Sequence, residues 1–246
     1  VYWCTDCETA LAEAEIEYKD VTGESIYVKF PVEDSKGLFD KKDTYVVIWT
    51  TTPWTLPGNM GITIGADYEY SMVELKENKE NAKLERLIIA TELVEKVMKL
   101  EIEDYKTVQT FKGSDLEGVL CKHPFLDRMS RVVLGSETTV NVTLDEGTGA
   151  VHTAPAYGKE DYLQGLKDKL GMVVAVDDKG KQTAEAGEFA GQFYAKSNKT
   201  ITAWLDENGY LLKAVKIEHS YPHCWRCKKP IIFRATPQWF ASVDGF

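Results

Sequence analysis

Two C-x-x-C pairs constrain this chain more than any other feature. Cys4 and Cys7 open it, Cys224 and Cys227 nearly close it, and Cys121 stands alone. Two such knuckles supply the ligands of a tetrahedral, four-thiolate structural zinc site. Rival readings are two disulfides or a redox dithiol, but nothing else in the sequence indicates an oxidising compartment. His219 and His223 flank the second knuckle and offer substitute ligands. One metal held by both pairs would tie the two chain ends together. The entropy of closing so long a loop grows only logarithmically with its length, so the separation is no obstacle. Ends held together are the geometry of a domain inserted into a loop of a larger host. The first residue, Val1, falls mid-pattern, and the chain is expected to be a piece of a longer protein.

Between the knuckles, the densest stretch is Trp49-Thr50-Thr51-Thr52-Pro53-Trp54-Thr55-Leu56-Pro57-Gly58-Asn59. The preceding Tyr45-Val46-Val47-Ile48 is short, apolar and β-branched, which predicts a buried strand. Thr50 to Thr52 are expected to continue it, with Thr50 and Thr52 on one face and Thr51 on the other. Pro53 cannot donate to a ladder and ends the strand, and Pro57-Gly58 predicts a turn that brings Asn59 back. One threonine would be only a good strand residue. Four threonines, two prolines and an asparagine around a tryptophan point to a site. Each hydroxyl both donates and accepts, which suits a polyhydroxylated ligand or a held water.

The remaining pattern is many short strands with a few helices. Strands are predicted at Glu15–Tyr18 and Ser25–Phe30, separated by a turn at Thr22-Gly23, then at Met60–Ile64, Tyr70–Leu75 and Arg86–Ala90. Lys76 to Lys83 reads as a loop. Thr91 caps a helix carrying Leu93, Val97 and Leu100. Further strands are predicted near Thr107–Phe111, Gly118–Cys121, Arg131–Leu134, Thr139–Val142 and Met172–Val176. A helix is predicted over Glu160–Leu170, with Tyr162, Leu163, Leu166 and Leu170 on one face and Gly171 as a left-handed cap. A last helix is predicted over Lys199–Asn208, with Ile201, Trp204 and Leu205 inward. The expected fold class is α+β: a β-barrel-like core with peripheral helices and a zinc-bound knuckle joining the termini.

At 246 residues the chain can bury a large core. Its 29 basic and 39 acidic side chains give a charge of −10, which argues against broad binding along a phosphate backbone. A single-stranded end held by a local patch is still compatible, and Lys213, Lys216, Arg226, Lys228, Lys229 and Arg234 offer one; a solvated basic face near a metal knuckle is the plain alternative. No apolar run is long enough to span a bilayer.

The second dense stretch is Gly147-Thr148-Gly149-Ala150-Val151-His152-Thr153-Ala154-Pro155-Ala156-Tyr157-Gly158-Lys159-Glu160-Asp161. Its glycines permit close backbone approach, and His152 emerges from a short buried strand. Asp161 falls in the first turn of the following helix, where the dipole favours an ionised carboxylate. Such a carboxylate suits a ligand's ammonium group. Alone, Asp161 would be an ordinary helix-start acid and His152 a core histidine. Their proximity to each other, in a chain that also carries a hydroxyl cluster, favours a site.

Together, W-T-T-T-P-W-T-L-P-G-N and G-T-G-x-V-H-x-A-P followed by an acid resemble the editing domain of class I aminoacyl-tRNA synthetases. The likeness runs from Leu11-Ala12-Glu13-Ala14-Glu15 to Arg234-Ala235-Thr236-Pro237-Gln238-Trp239-Phe240. Valyl and leucyl members carry Arg-Pro and an acid within the threonine motif, so Thr52-Pro53-Trp54 places the resemblance on the isoleucyl branch. The resemblance implies hydrolysis of valine misattached to tRNA(Ile), and of valyl-adenylate, with isoleucyl-tRNA spared. Asp161 would bind the α-ammonium and His152 would limit the side-chain pocket. Thr50, Thr51, Thr52, Trp54 and Asn59 would surround the terminal adenosine, ester and attacking water. Some members carry a zinc site at the base of this domain, which Cys4, Cys7, Cys224 and Cys227 match. Residues 21–209 would be the editing domain, with 1–20 and 210–246 the zinc-clasped base leading to the rest of the parent synthetase. The parent would be cytoplasmic and monomeric. No H-I-G-H or K-M-S-K-S element is present, so aminoacylation is not expected of this chain. The competing reading is a non-catalytic, zinc-clasped module that docks the tRNA acceptor end.

Overall fold

A computed structural model describes residues 1–75, 84–99, 104–239 and 241–242. The expected loop 76–83, Leu100 on the helix after Thr91, and Phe240 lie outside the described residues.

Strands β1 (Tyr2–Cys4) and β2 (Thr9–Leu11) open the chain. The 19-residue β3 (Ile16–Asp34) follows, then β4 (Thr44–Thr50), β5 (Gly61–Ile64), β6 (Glu69–Leu75) and β7 (Arg86–Ala90). After helix α1 (Val94–Met98) come β8 (Tyr105–Lys112), β9 (Leu120–Lys122), β10 (Met129–Leu134) and β11 (Ala150–Thr153). Helices α2 (Lys159–Asp168) and α3 (Tyr194–Glu207), then β12 (Leu211–Cys224) and β13 (Ile232–Phe233), complete the order.

Six strands pair in a closed ring, β3-β9-β10-β5-β11-β4, because β4 returns to pair with β3. Closure removes the two free edges that an open sheet would expose. Apolar residues of the ring, among them Ile26, Phe30, Val46, Ile48, Ile62 and Val132, fill one core. From β4 the sheet continues outward through β7, β6 and β8. The architecture is mixed α+β with a large sheet and few helices.

Two pairings of β11, one parallel and one antiparallel, bring the motifs together. Strand β11 runs parallel to β4 with Val151 opposite Trp49, so the next residues, His152 and Thr50, emerge at the same end of the sheet. Strand β5 runs antiparallel to β11, with Ile62 opposite His152 and Gly61 opposite Thr153. The segment from Thr51 to Met60 therefore arches over that end and returns beside His152.

Several expectations are corrected. The strands predicted at Glu15–Tyr18 and Ser25–Phe30 are one, β3, because β12 pairs with it without a break from Lys213 opposite Tyr27 to Cys224 opposite Ile16, after one register shift beyond Leu211. Gly23 sits within this ribbon, where an added Cβ would lie 2.6 Å from the His219 ring, so it is a contact glycine and not a turn. Strand β4 ends at Thr50; Thr52 donates its backbone N–H to the Thr50 hydroxyl at 3.1 Å, which turns the chain before Pro53. No strand forms at Thr139–Val142 or at Met172–Val176, where a single bridge joins Val176 to Gln182. Helix α2 ends at Asp168, with Lys169 in the left-handed cap position and Gly171 also at positive φ. Its face is not the predicted one: Gln164 and Gly165 are buried, while Tyr162, Leu163 and Leu166 are exposed. Gly165 explains this, since a Cβ there would come within 2.8 Å of the Pro155 ring, so the helix docks through its glycine. Helix α3 begins earlier than predicted, with Ile201 and Leu205 buried as expected and Trp204 at its margin.

Gly113, just beyond β8, donates its N–H to Tyr68 at 2.8 Å, and an added Cβ would collide with the Gly65 carbonyl. Gly113→Ala is expected to destabilise the chain by ~1–3 kcal/mol, since backbone cannot yield as a side chain does, and urea denaturation will measure it.

Candidate functional site

His152 is buried on β11, and both ring nitrogens are engaged. The Asn59 side-chain amide donates to Nδ1 at 2.7 Å and to the Gly61 carbonyl at 2.9 Å. A carbonyl can only accept, so the amide nitrogen must face it, and Nδ1 must then be an acceptor. The ring proton is left on Nε2, which donates to the Thr55 hydroxyl at 2.9 Å. The Thr55 hydroxyl in turn donates a hydrogen bond to the Thr52 carbonyl at 2.8 Å. Burial lowers the His152 pKa to about 4, so the ring is neutral at physiological pH. A neutral imidazole with no free lone pair is a fixed wall rather than a ready base.

Asn59 is wholly buried, and Thr55 is buried beside it. Asn59 thus acts here as an anchor for His152. Thr55 lies inside the threonine motif, yet nothing in the local pattern singles it out from its neighbours. The available signal was chemical: a buried imidazole needs partners for two nitrogens.

Thr50 is buried, while Thr51 and Thr52 are partly exposed. The Thr52 hydroxyl lies 3.4 Å from that of Thr50 and 3.3 Å from that of Thr55, making one connected set. Beside Thr51 and Thr52 opens a cavity of about 790 Å³, whose walls include Trp54, Tyr194, Asn198 and Lys199. Trp54 is mostly buried, packed edge-on against Tyr157 and Tyr194 with ring centroids 5.2 Å away in each case. Its backbone is fixed by Asn198, which accepts from its N–H at 2.8 Å, and by Gln182, which donates to its carbonyl at 2.9 Å.

Asp161 sits in the first turn of α2 and accepts a hydrogen bond from the Ala154 N–H at 2.8 Å. Ala154 is two residues from His152, so the carboxylate is tied to the strand end that carries the imidazole. Gly158 makes room, because a Cβ there would collide with the Asp161 carboxylate. Burial raises the Asp161 pKa to about 6, with the Ala154 bond opposing the shift. It is an acid held without a cationic partner among the described residues.

The four sulfurs of Cys4, Cys7, Cys224 and Cys227 lie within 4.8 Å of one another, and all are free thiols. Zinc–sulfur bonds of ~2.3 Å in a tetrahedron place sulfurs ~3.8 Å apart, so the four residues fit a zinc ion. Neither histidine joins the cluster: His223 donates from Nδ1 to the Tyr221 carbonyl at 2.9 Å, and His219 packs on Gly23. Strand β1 pairs with β2 on one side and β13 on the other, which brings both knuckles together. Cys121 is buried in the core. The proposed basic patch is not one free surface, because Arg234 is buried against Asp178 and over the Trp3 ring, and Lys228 pairs with Glu17.

The family model described as tRNA synthetases class I (I, L, M and V) matches residues 1–246. The chain therefore belongs to the class I tRNA synthetases. Within that class its relatives include isoleucine–tRNA ligases. That of Caldicellulosiruptor bescii is 56% identical over 100% of this chain and 26% of its own length. Those of Moorella thermoacetica and Bacillus cereus are 52% and 53% identical, over 100% of this chain and 25% and 26% of theirs. The chain thus spans about a quarter of the length of these relatives. The fold is similar to two solved leucyl-tRNA synthetase structures. One, titled GlLeuRS-CP1, has a TM-score of 0.59 at 15% identity and covers 78% of this chain and 99% of that one. The other, the Plasmodium falciparum cytosolic leucyl-tRNA synthetase editing domain, has a TM-score of 0.60 at 11% identity and covers 77% and 98%. No helix among the described residues is long and apolar enough to cross a membrane.

The hydrogen-bond relay fixes the His152 tautomer. Nitrogen-detected NMR of the full chain is expected to show Nε2–H and no titration of this ring above pH 5; a ring that titrates near 6.5 would break the assignment.

Proposed function

We propose that the chain is the proofreading domain of an isoleucyl-tRNA synthetase. It hydrolyses valine misattached to tRNA(Ile), and valyl-adenylate, while sparing isoleucyl-tRNA(Ile). The observation that carries this reading is the buried, neutral His152, gripped at both nitrogens on the strand end whose Ala154 N–H holds the Asp161 carboxylate, an acid with no cationic partner among the described residues. An apolar pocket gains only ~1–3 kcal/mol from one methylene, a limit established on isoleucyl synthetases themselves, so a second site must reject by size. An immobilised ring does that better than a flexible side chain.

In this reading Asp161 receives the α-ammonium of the bound valine, and His152 closes the space a further methylene would need. The terminal nucleoside occupies the cavity beside Thr51, Thr52 and Trp54. Hydroxyls of Thr50, Thr51 and Thr52 hold the ester and a water. Water adds to the ester carbonyl, the carbon–oxygen bond to the ribose breaks, and the ribose oxygen takes a proton, releasing valine and intact tRNA. An ester is reactive enough that positioning the water supplies much of the rate. The neighbouring ribose hydroxyl of the substrate serves as proton relay, since His152 has no lone pair to offer. A module that only docked the acceptor end would need neither the clamped imidazole nor a half-buried acid without a cationic partner.

Zinc on Cys4, Cys7, Cys224 and Cys227 would be structural, with no open position for chemistry. Residues 21–209 form the proofreading body, and 1–20 with 210–246 form the base, joined by the β3–β12 ribbon. The parent acts in the cytoplasm as a monomer, with its other domains as partners.

Rates of release of valine and isoleucine from tRNA(Ile) test the reading directly. His152→Ala is expected to gain hydrolysis of Ile-tRNA(Ile) while keeping that of Val-tRNA(Ile). A parallel fall of both rates in a folded variant would make His152 a base and contradict the reading.

Asp161 gives a paired prediction. Its folded pKa, about 6, lies above its unfolded value, so its stabilising contribution is full below pH 3.8 and is lost as pH rises through 6. Asp161→Asn keeps an acceptor for Ala154 and removes a half-buried charge. It is expected to stabilise the free chain by on the order of 1–2 kcal/mol at pH 7.5, with no gain at pH 3.5. The same variant is expected to lose most deacylation, and the wild-type rate to fall as pH drops below 6. A variant that is both less stable and fully active would contradict this role.

Removal of zinc with a chelator, or Cys224→Ser, is expected to free the termini before the core unfolds. Elemental analysis and hydrogen exchange at β1 and β13 will check this; metal-free native protein with protected ends would exclude it.

A further inference from the structure

Two residues that take no part in the proposed hydrolysis grip the arch that carries Thr55 and Asn59. His123 is fully buried just after β9. Its Nδ1 accepts backbone N–H groups of Phe125 at 3.3 Å and Leu126 at 3.2 Å. The ring proton is thereby left on Nε2, which donates to the Leu56 carbonyl at 2.9 Å. That same carbonyl accepts the Asn59 backbone N–H at 2.9 Å. On the other side of Asn59, its own carbonyl accepts from the Arg128 guanidinium at 3.3 Å. One short loop therefore holds the Asn59 carbonyl directly and its N–H through the shared Leu56 carbonyl.

That loop is itself stiff. His123 donates its backbone N–H to the Arg128 carbonyl at 2.9 Å, closing the loop on itself. The Phe125 ring packs edge-on against His123, Phe189 and Trp204, at centroid distances of 4.4, 5.2 and 5.6 Å. Trp204 belongs to α3, so the loop is braced against the outer helix.

We infer that the loop from His123 to Arg128 determines the specificity of proofreading, with His123 and Arg128 as positioning residues that set where Asn59, and through it His152, stands. The inference rests on the proofreading reading of the site. A wall that discriminates one methylene must hold its place to a fraction of an ångström, and the His152 ring is anchored to the arch through Thr55 and Asn59. The Leu56 carbonyl is the point at which His123 acts on that arch.

Substitutions that mimic one ring nitrogen at a time separate positioning from mere packing. Gln places a donor near the Nε2 position, whereas Asn places an acceptor near Nδ1 and has nothing that reaches Leu56. In the full chain, His123→Gln is expected to keep the ratio of valine to isoleucine release within about threefold of wild type. His123→Asn is expected to lower that ratio by about tenfold or more, through gained Ile-tRNA(Ile) hydrolysis. Arg128→Lys, which leaves the buried histidine in place, is expected to shift the ratio the same way by a smaller factor, and it decides the matter if His123→Asn does not fold. The nitrogen signals of His152 are expected to move in His123→Asn and to stay in His123→Gln. Unchanged ratios and unchanged His152 signals in both His123→Asn and Arg128→Lys would overturn the inference, as would equal losses in the Gln and Asn variants. If the wild-type chain releases neither amino acid, the proofreading reading fails; the His152 signals then judge the clamp alone, unmoved signals in His123→Asn overturning it.

Discussion

The candidate site depends on one relay of hydrogen bonds, from the Asn59 amide to His152 Nδ1, from Nε2 to Thr55, and from Thr55 to the Thr52 carbonyl. Every link in it has a forced direction, because it begins and ends on carbonyls that can only accept. An imidazole satisfied at both nitrogens rigidifies its surroundings, although Asn59 Oδ1, on the amide that grips it, has no hydrogen-bond partner among the described residues. The closed ring of strands makes the relay possible: parallel pairing of β4 with β11 brings Thr50 and His152 to one end, and β5 returns Asn59 to the same place. Fold and site are thus one arrangement seen at two scales.

The relay is neutral, and the charge lies elsewhere. Asp161 stands at a helix start, where the dipole and one backbone N–H favour its ionised form, yet burial wins and raises its pKa. Natural sites commonly hold groups that lower the stability of the empty protein and are compensated by the ligand. An acid waiting for an ammonium group fits that pattern. The four-cysteine cluster sits at the opposite extreme: it joins the two chain ends, and the long β3–β12 ribbon separates it from the threonine arch.

Much of this was legible in the residues. The β-branched run Tyr45–Ile48 announced β4, and the two C-x-x-C pairs announced a four-sulfur cluster despite their separation. His152 and Asp161 were legible as chemistry because each sat beside a Gly-rich stretch. What was hidden arose from pairing at a distance. Thr22-Gly23 reads locally as a turn, and only the presence of β12 alongside converts it into continuous strand. Helix α2 shows an apolar stripe, but close contact of Gly165 with Pro155 overrides it and turns Tyr162 and Leu166 outward. The roles of Asn59 and Thr55 were likewise invisible, since a hydrogen bond across more than ninety residues leaves no mark in the local pattern.

In the proposed reaction, a fixed ring measures the size of the amino-acid side chain. Non-hydrolysable amides joining valine or isoleucine to the ribose of adenosine test it without any catalytic step. Calorimetric titration of the wild-type protein is predicted to show the valyl compound binding at least about tenfold more tightly than the isoleucyl one, a preference opposite to that expected of an apolar pocket free to accommodate the larger side chain. Equal affinities, or tighter binding of the isoleucyl compound, would contradict the account.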